Sequence, residues 1–140
     1  MKKTMAWRYE GRLNITVQTE EAPTKQEWTA YVETIRGLGD LRERRVLFYS
    51  YGGAPNPAQR AELLDVFKTR GASRTAVLTT SLLARAASMA VAWFNKDLKI
   101  FAIDGDQAAW DFLELTPEER GWVKSAVREL HRELGIAHAA

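Results

Sequence analysis

The spacing of apolar positions changes along the chain, and each change marks an element. Trp7-Arg8-Tyr9 and Leu13-Asn14-Ile15-Thr16-Val17-Gln18 alternate with period two. Glu10-Gly11 between them suits a tight turn, so the pattern predicts an N-terminal β-hairpin. Glu20 to Pro23 breaks it. Thr24 with Glu27 three residues on is a capping-box pattern, and Trp28, Tyr31, Val32 and Ile35 fall on one face of the helix it opens. Gly37 and Gly39 stop that helix. From residue 44 the rhythm becomes strand, polar loop, helix, and then repeats. Val46 to Tyr49 is a continuous apolar run, as expected of a strand covered on both faces. Asn56 caps the next helix and Pro57 suits its first position; its stripe is expected at Ala61, Leu64 and Phe67, flanked by Leu63, and Gly71 ends it. Thr75 to Leu78 is the following strand, and Ser81 caps a third helix running to Phe94. Lys99 to Ile103 is the last strand, followed by a short helix over about Gln107 to Leu115. Thr116-Pro117-Glu118-Glu119 opens a final helix with stripe Trp122, Val123, Ala126, Val127, Leu130 and Leu134, closed by Gly135.

Strands alternating with helices at this spacing predict crossover units and the α/β class. The expected architecture is one domain over residues 1–140. An N-terminal hairpin is followed by βα units in a mixed, largely parallel sheet of about five strands. Helices pack on the sheet, and residues 116–135 add a C-terminal helix. In such sheets ligands and partners meet the loops at the carboxyl ends of the strands. Here those loops hold Ser50, Tyr51, Gly52, Gly53 and Asn56, then Thr79, Thr80 and Ser81, then Asp104, Gly105 and Asp106.

Composition narrows the function more than the fold. The 140 residues are 46% hydrophobic and 27% charged, ordinary for a soluble globular domain. The net charge is only +2, and the densest basic cluster, Arg42-Glu43-Arg44-Arg45, reads as a solvated loop, so no nucleic-acid partner is expected. The chain has no cysteine, which removes disulfides, thiolate metal sites and thiol nucleophiles and is compatible with a cytoplasmic location. The first residues lack the apolar stretch of a signal peptide. The most apolar segment, Ala84 to Phe94, is interrupted by Arg85 and Ser88 and is too short to span a bilayer, so no membrane insertion is expected.

Catalytic sets are missing as well. The two histidines, His131 and His138, have no i+4 partner or adjacent acidic ligands. His131 is expected between solvent and stripe. Asp104, Asp106, Asp111 and Glu114 could make an acidic mouth, but calcium wants a denser oxygen-donor loop; Asp106 is expected to cap the short helix. Gly52-Gly53 lacks any phosphate-loop context, and Ser50, Ser81 and Ser88 lack a nucleophile elbow or a His partner. No cofactor, no metal and no enzyme activity are expected.

Three local patterns carry a family resemblance. Val46-Leu47-Phe48-Tyr49 leads through a small-residue loop to a helix, and Thr75-Ala76-Val77-Leu78 leads through a hydroxyl loop to an alanine-rich helix. Ile100-Phe101-Ala102-Ile103-Asp104 leads to Ala108-Ala109 and Phe112-Leu113. Over residues 5 to about 115 this layout resembles the SpoIIAA-like (STAS-like) domains. The resemblance implies βα units wound as one superhelix and a regulatory, non-catalytic role in protein–protein contacts. Anti-sigma-factor antagonists of that group carry an Asp-Ser pair before the second helix, whose serine is phosphorylated. This chain departs from them: Ser50 lies towards the strand end and Asn56 takes the cap. A phosphate at Ser50 would place about two negative charges near a helix N-terminus.

The third helix breaks the ordinary pattern. Leu82, Leu83, Ala86, Ala87, Ala90, Val91 and Phe94 exceed one stripe, and Met89 and Trp93 form a second ridge beside Arg85. Aromatics, Met and Arg are enriched in interface centres, so Arg85, Met89 and Trp93 are the expected contacts of a homodimer or protein partner. Coverage by the final helix is the competing expectation. The alternative function is binding of a small apolar, lipid-like ligand between helices and sheet, with Trp7 and Trp110 as candidate pocket walls.

Overall fold

The computed structural model describes residues 2–136; His138 lies outside them. The element order is β1 (Met5–Glu10), β2 (Leu13–Gln18), α1 (Lys25–Arg36), β3 (Arg45–Ser50), α2 (Pro57–Arg70), β4 (Arg74–Leu78), α3 (Leu82–Ala92), β5 (Leu98–Phe101), α4 (Asp106–Phe112) and α5 (Pro117–Leu134). The fold is α/β. Five strands lie in the order β1-β2-β3-β4-β5, with β1 antiparallel to β2 and the other neighbours parallel. Glu10 pairs with Leu13, so the hairpin turn is Gly11-Arg12, one residue later than its sequence suggests.

Each crossover from β2 to β5 adds a strand on the same side. Right-handed connections of this kind put their helices on one face of the sheet. The core divides accordingly. Met5, Trp28, Tyr31, Val32, Ile35, Leu41 and Val66 form one cluster, with Phe48, Leu63 and Phe67 packed on it. On the other face Ile15, Val17, Leu47, Tyr49, Ala76 and Leu78 pack against Trp110 and Leu113 at α4 and against Val123, Val127 and Leu130 of α5. The register sets that layer, with Ile15 opposite Leu47 and Leu47 opposite Ala76.

Local signals start the helices where the spacing predicts. Capping boxes are complete at Thr24–Glu27, Asn56–Gln59 and Thr116–Glu119. The stripe of α2 differs from expectation: Ala61 is exposed and Leu64 half-buried, while Gln59 and Val66 are buried. Gln59 is the reason. Its side chain closes the cap on Asn56 and donates to the Pro23 carbonyl, while its own carbonyl accepts from Trp28 Nε1 at 2.7 Å. That anchor rotates the helix so that positions 59, 63, 66 and 67 face inward. At α4 the N-cap is Gly105 without a side-chain hydrogen bond; Asp106 instead accepts from Tyr49 Oη at 2.6 Å.

The C-terminal helix is tied to the hairpin by charge. Arg12 donates to both carboxylate oxygens of Glu119 at 2.8 and 2.9 Å, and Lys3 and Arg8 converge on Glu133. The Arg12 hydrogen bonds outweigh burial and hold the Glu119 carboxyl down at about 2. A folded-state pKa below the unfolded one gives stability that is present above about 4.5, the ordinary Glu value, and lost as the pH falls towards 2. Glu119→Gln keeps the capping box but removes this linkage. The gap in thermal midpoint between wild type and variant, read by circular dichroism, should therefore be larger at pH 7 than at pH 2.5.

Candidate functional site

The hydroxyl at Ser81 starts α3: Ser81 Oγ accepts from Ala84 N–H, and Thr79 Oγ1 accepts from Ser81 N–H. The helix then turns a narrow set of small side chains inward. Ala84, Ala87 and Val91 are its buried residues. The large ones point away: Leu82 is 84% exposed, Leu83 66%, Met89 61%, Trp93 76% and Phe94 61%. Only Tyr9 joins them as an exposed large hydrophobic among the described residues. Arg85 is exposed among them, and Lys96 Nζ stands 5.6 Å from the Trp93 ring centre. No acidic residue occurs from Leu82 to Lys96.

Among the described residues nothing covers this face. The final helix packs on β1 and β2 across the opposite side of the sheet, so it does not serve as a lid for α3. The five outward side chains together expose on the order of 700 Å², more than the ~300–600 Å² of the largest apolar patch on most monomers. Arg85, Met89 and Trp93 stand at i, i+4 and i+8 and therefore share one ridge of it.

The strand-end loops are built differently. Ser50 is buried; its hydroxyl donates to the Gly53 carbonyl at 2.7 Å and accepts from Gly52 N–H. Thr79 is also buried, and Gly53 donates its N–H to the Thr19 carbonyl at 2.9 Å. Gly52 has φ +139°, and a Cβ on Gly53 would meet the Glu21 carbonyl oxygen at 2.0 Å. Ser50, Gly53 and Thr79 are interior groups, and Gly52 is half-buried. Asn56 and Thr80 are the exposed members, and Asn56 and Ser81 spend their side chains on helix caps.

Tyr51 turns towards the other face, where its hydroxyl pairs with His131 Nε2. His131 is buried, not half-solvated as its position suggests, because its Nδ1 bonds the Val127 carbonyl at 2.7 Å. A carbonyl only accepts, so Nδ1 carries a proton and donates to Val127. Burial, reinforced by the bond to Asp106, raises the Tyr49 phenol; burial and then Asp106 raise Tyr51. Phenols held neutral donate hydrogen bonds but do not act as bases at ordinary pH. The signal for this cluster was the i+4 step from Val127 to His131, which continues the buried stripe.

The acidic residues do not converge. Asp111 pairs with Arg120, Glu114 with Arg74 and Asp106 with Tyr49. Among the described residues no group of three His, Asp or Glu side chains is placed to hold a metal ion. No helix among them is long and apolar enough to cross a membrane. Trp7 packs on Tyr31 in the face of α1, whereas Trp110 lies in the core under α5, so the two do not share a pocket wall. No family model matches the chain, and neither the curated proteins nor the solved structures contain a significant match to it.

The crowding at the β3 loop has a measurable consequence. Gly53→Ala should cost about 1–3 kcal/mol through forced backbone displacement. Ser50→Asp, which mimics a phosphate, should cost about 2 kcal/mol or more by burying an acid in a closed turn. Urea unfolding of each variant reads both effects, and an Asp tolerated at Ser50 without loss would restore that position as a switch.

Proposed function

We propose that the protein is a non-catalytic, regulatory protein–protein interaction module of STAS-like type that docks through the outer face of α3, and that its first partner is a second copy of itself. One observation carries this reading: α3 turns its small side chains inward and its large apolar ones to solvent. The exposed area is close to the ~800 Å² that each partner contributes to a standard interface. Self-pairing also suits the sequence of the helix. Two copies crossing antiparallel about Met89 bring Arg85 of each over Trp93 of the other, a cation–π contact. The two Arg85 side chains then sit about 12 Å apart along the axis, beyond the ~8 Å screening length at physiological salt. A two-fold contact of this kind is self-complementary and closes.

The exposed Thr80 and Asn56, near the N-termini of α3 and α2, flank this face and would serve a further protein partner. The superhelical order of the βα units supports the STAS-like reading, and the absence of cysteine supports a cytoplasmic setting. The scattered, paired acids support a role without catalysis.

Met89→Glu combined with Trp93→Glu sets like charges at the centre of the face without touching the buried Ala84, Ala87 and Val91. Light scattering after size exclusion should give a dimer mass for the wild type and a monomer for the double variant, with unchanged circular dichroism. A wild type that stays monomeric at high micromolar concentration would sink the self-association, and an unfolded double variant would show these residues to be core.

A further inference from the structure

The inner side of α3 poses a separate question. Its small side chains leave space above the sheet, and α2 and α3 scarcely touch each other. Between them runs a slot with about 90 Å³ of free interior. Val46, Phe48 and Val77 floor it, Leu63 and Phe67 of α2 form one wall, and Ala84, Ala87 and Val91 of α3 form the other.

Most of the polar groups on its lining are already committed. Ser73 Oγ donates to the Leu41 carbonyl, Thr75 Oγ1 and Asn95 Nδ2 donate to the Ser73 carbonyl, and Ser88 Oγ donates to the Ala84 carbonyl, all at 2.8–3.0 Å. Ser50 is spent in its own turn. Among the described residues no Lys, Arg, His, Asp or Glu lines the slot. A buried charge needs a counter-charge, and this lining offers none.

We propose that the slot is a binding site for a small uncharged apolar molecule, the size of one aromatic ring or a short hydrocarbon chain. An unfilled apolar gap forfeits dispersion contacts on every wall, so an occupant of matching shape is bound by the contacts it restores. An enclosed apolar cavity of about 150 Å³ suffices to hold benzene in a protein core. The slot is smaller but is not sealed, since Leu63, Phe67 and Ser88 on its lining are half-buried. This inference is independent of what covers the outer face of α3, because the two faces share no side chain.

Fluorobenzene is a suitable probe, followed by fluorine NMR and by nuclear Overhauser contacts to methyl groups. Saturable binding is expected, with contacts to the methyls of Val77, Ala84 and Ala87. Ala87→Leu should fill the slot, abolish probe binding and raise the thermal midpoint. The Met89→Glu/Trp93→Glu variant should bind as the wild type does, whatever its oligomeric state. Absence of saturable binding, contacts confined to Met89 and Trp93, undiminished binding by Ala87→Leu or loss of binding in the outer-face variant would each overturn the slot. The contacts in the wild type decide the matter even where Ala87→Leu fails to fold.

Discussion

The whole arrangement depends on the one-way growth of the sheet from β2 to β5. Each strand is added beside the last, and each crossover turns in the same sense, so α1, α2 and α3 must share a face. The opposite face would then be bare without α4 and α5. Those two helices are what let Ile15, Leu47, Ala76 and Leu78 be buried from both sides, and they leave no helix over for the outer flank of the first layer. A helix in the middle of such a layer has neighbours on both sides. The last one, α3 above β4 and β5, has a neighbour on one side at most.

That topological position explains why the composition of α3 matters so much. A helix at the end of a layer normally carries polar residues outward and large apolar residues inward. Here the large apolar residues point outward and only small apolar ones point inward. The inner alanines let the helix lie near the sheet without filling the space beneath it. The outer Leu, Met, Trp and Phe side chains gain nothing in an isolated monomer and would each contribute about 1.5–3 kcal/mol if fully buried. Three such groups on one short helix and two in the turn after it have more to gain from being covered than from folding. Folding itself is secured elsewhere, by the two clusters that sandwich the sheet and by the Arg12–Glu119 clasp between hairpin and final helix.

Element type and order could be read from periodicity and caps, because both are local. Thr24–Glu27 and Thr116–Glu119 name their helix starts within four residues, and the alternation of Leu13 to Gln18 names a strand. The outward ridge of α3 was legible for the same reason: too many apolar residues for one stripe is a count along the chain. What escaped were choices made by distant partners. Trp28 and Pro23 decide the rotation of α2 through Gln59, and Tyr51, 80 residues earlier, pairs with His131. Asp106 leaves its cap because Tyr49, 57 residues earlier, offers a hydroxyl at 2.6 Å. The resemblance to phospho-switched domains pointed at Ser50, yet whether a loop serine faces solvent depends on the approach of the β2–α1 segment, which no local pattern encodes.

The close approach of that segment has a further effect on where function can sit. Gly53 N–H bonds the Thr19 carbonyl, Tyr51 N–H bonds the Gln18 carbonyl, and Gln18 Nε2 bonds the carbonyls of Thr4 and Glu21. These bonds stitch the carboxyl ends of β2 and β3 together and close the crevice where an open α/β sheet usually receives its ligand. With Ser50, Gly53 and Thr79 buried, the strand ends near β3 and β4 become a floor rather than a mouth. The exposed large apolar side chains lie to one side instead, on the last helix of the layer and in the turn that follows it. The closure that weakens a switch at the strand ends thus leaves the outer face of α3 as the proposed docking surface.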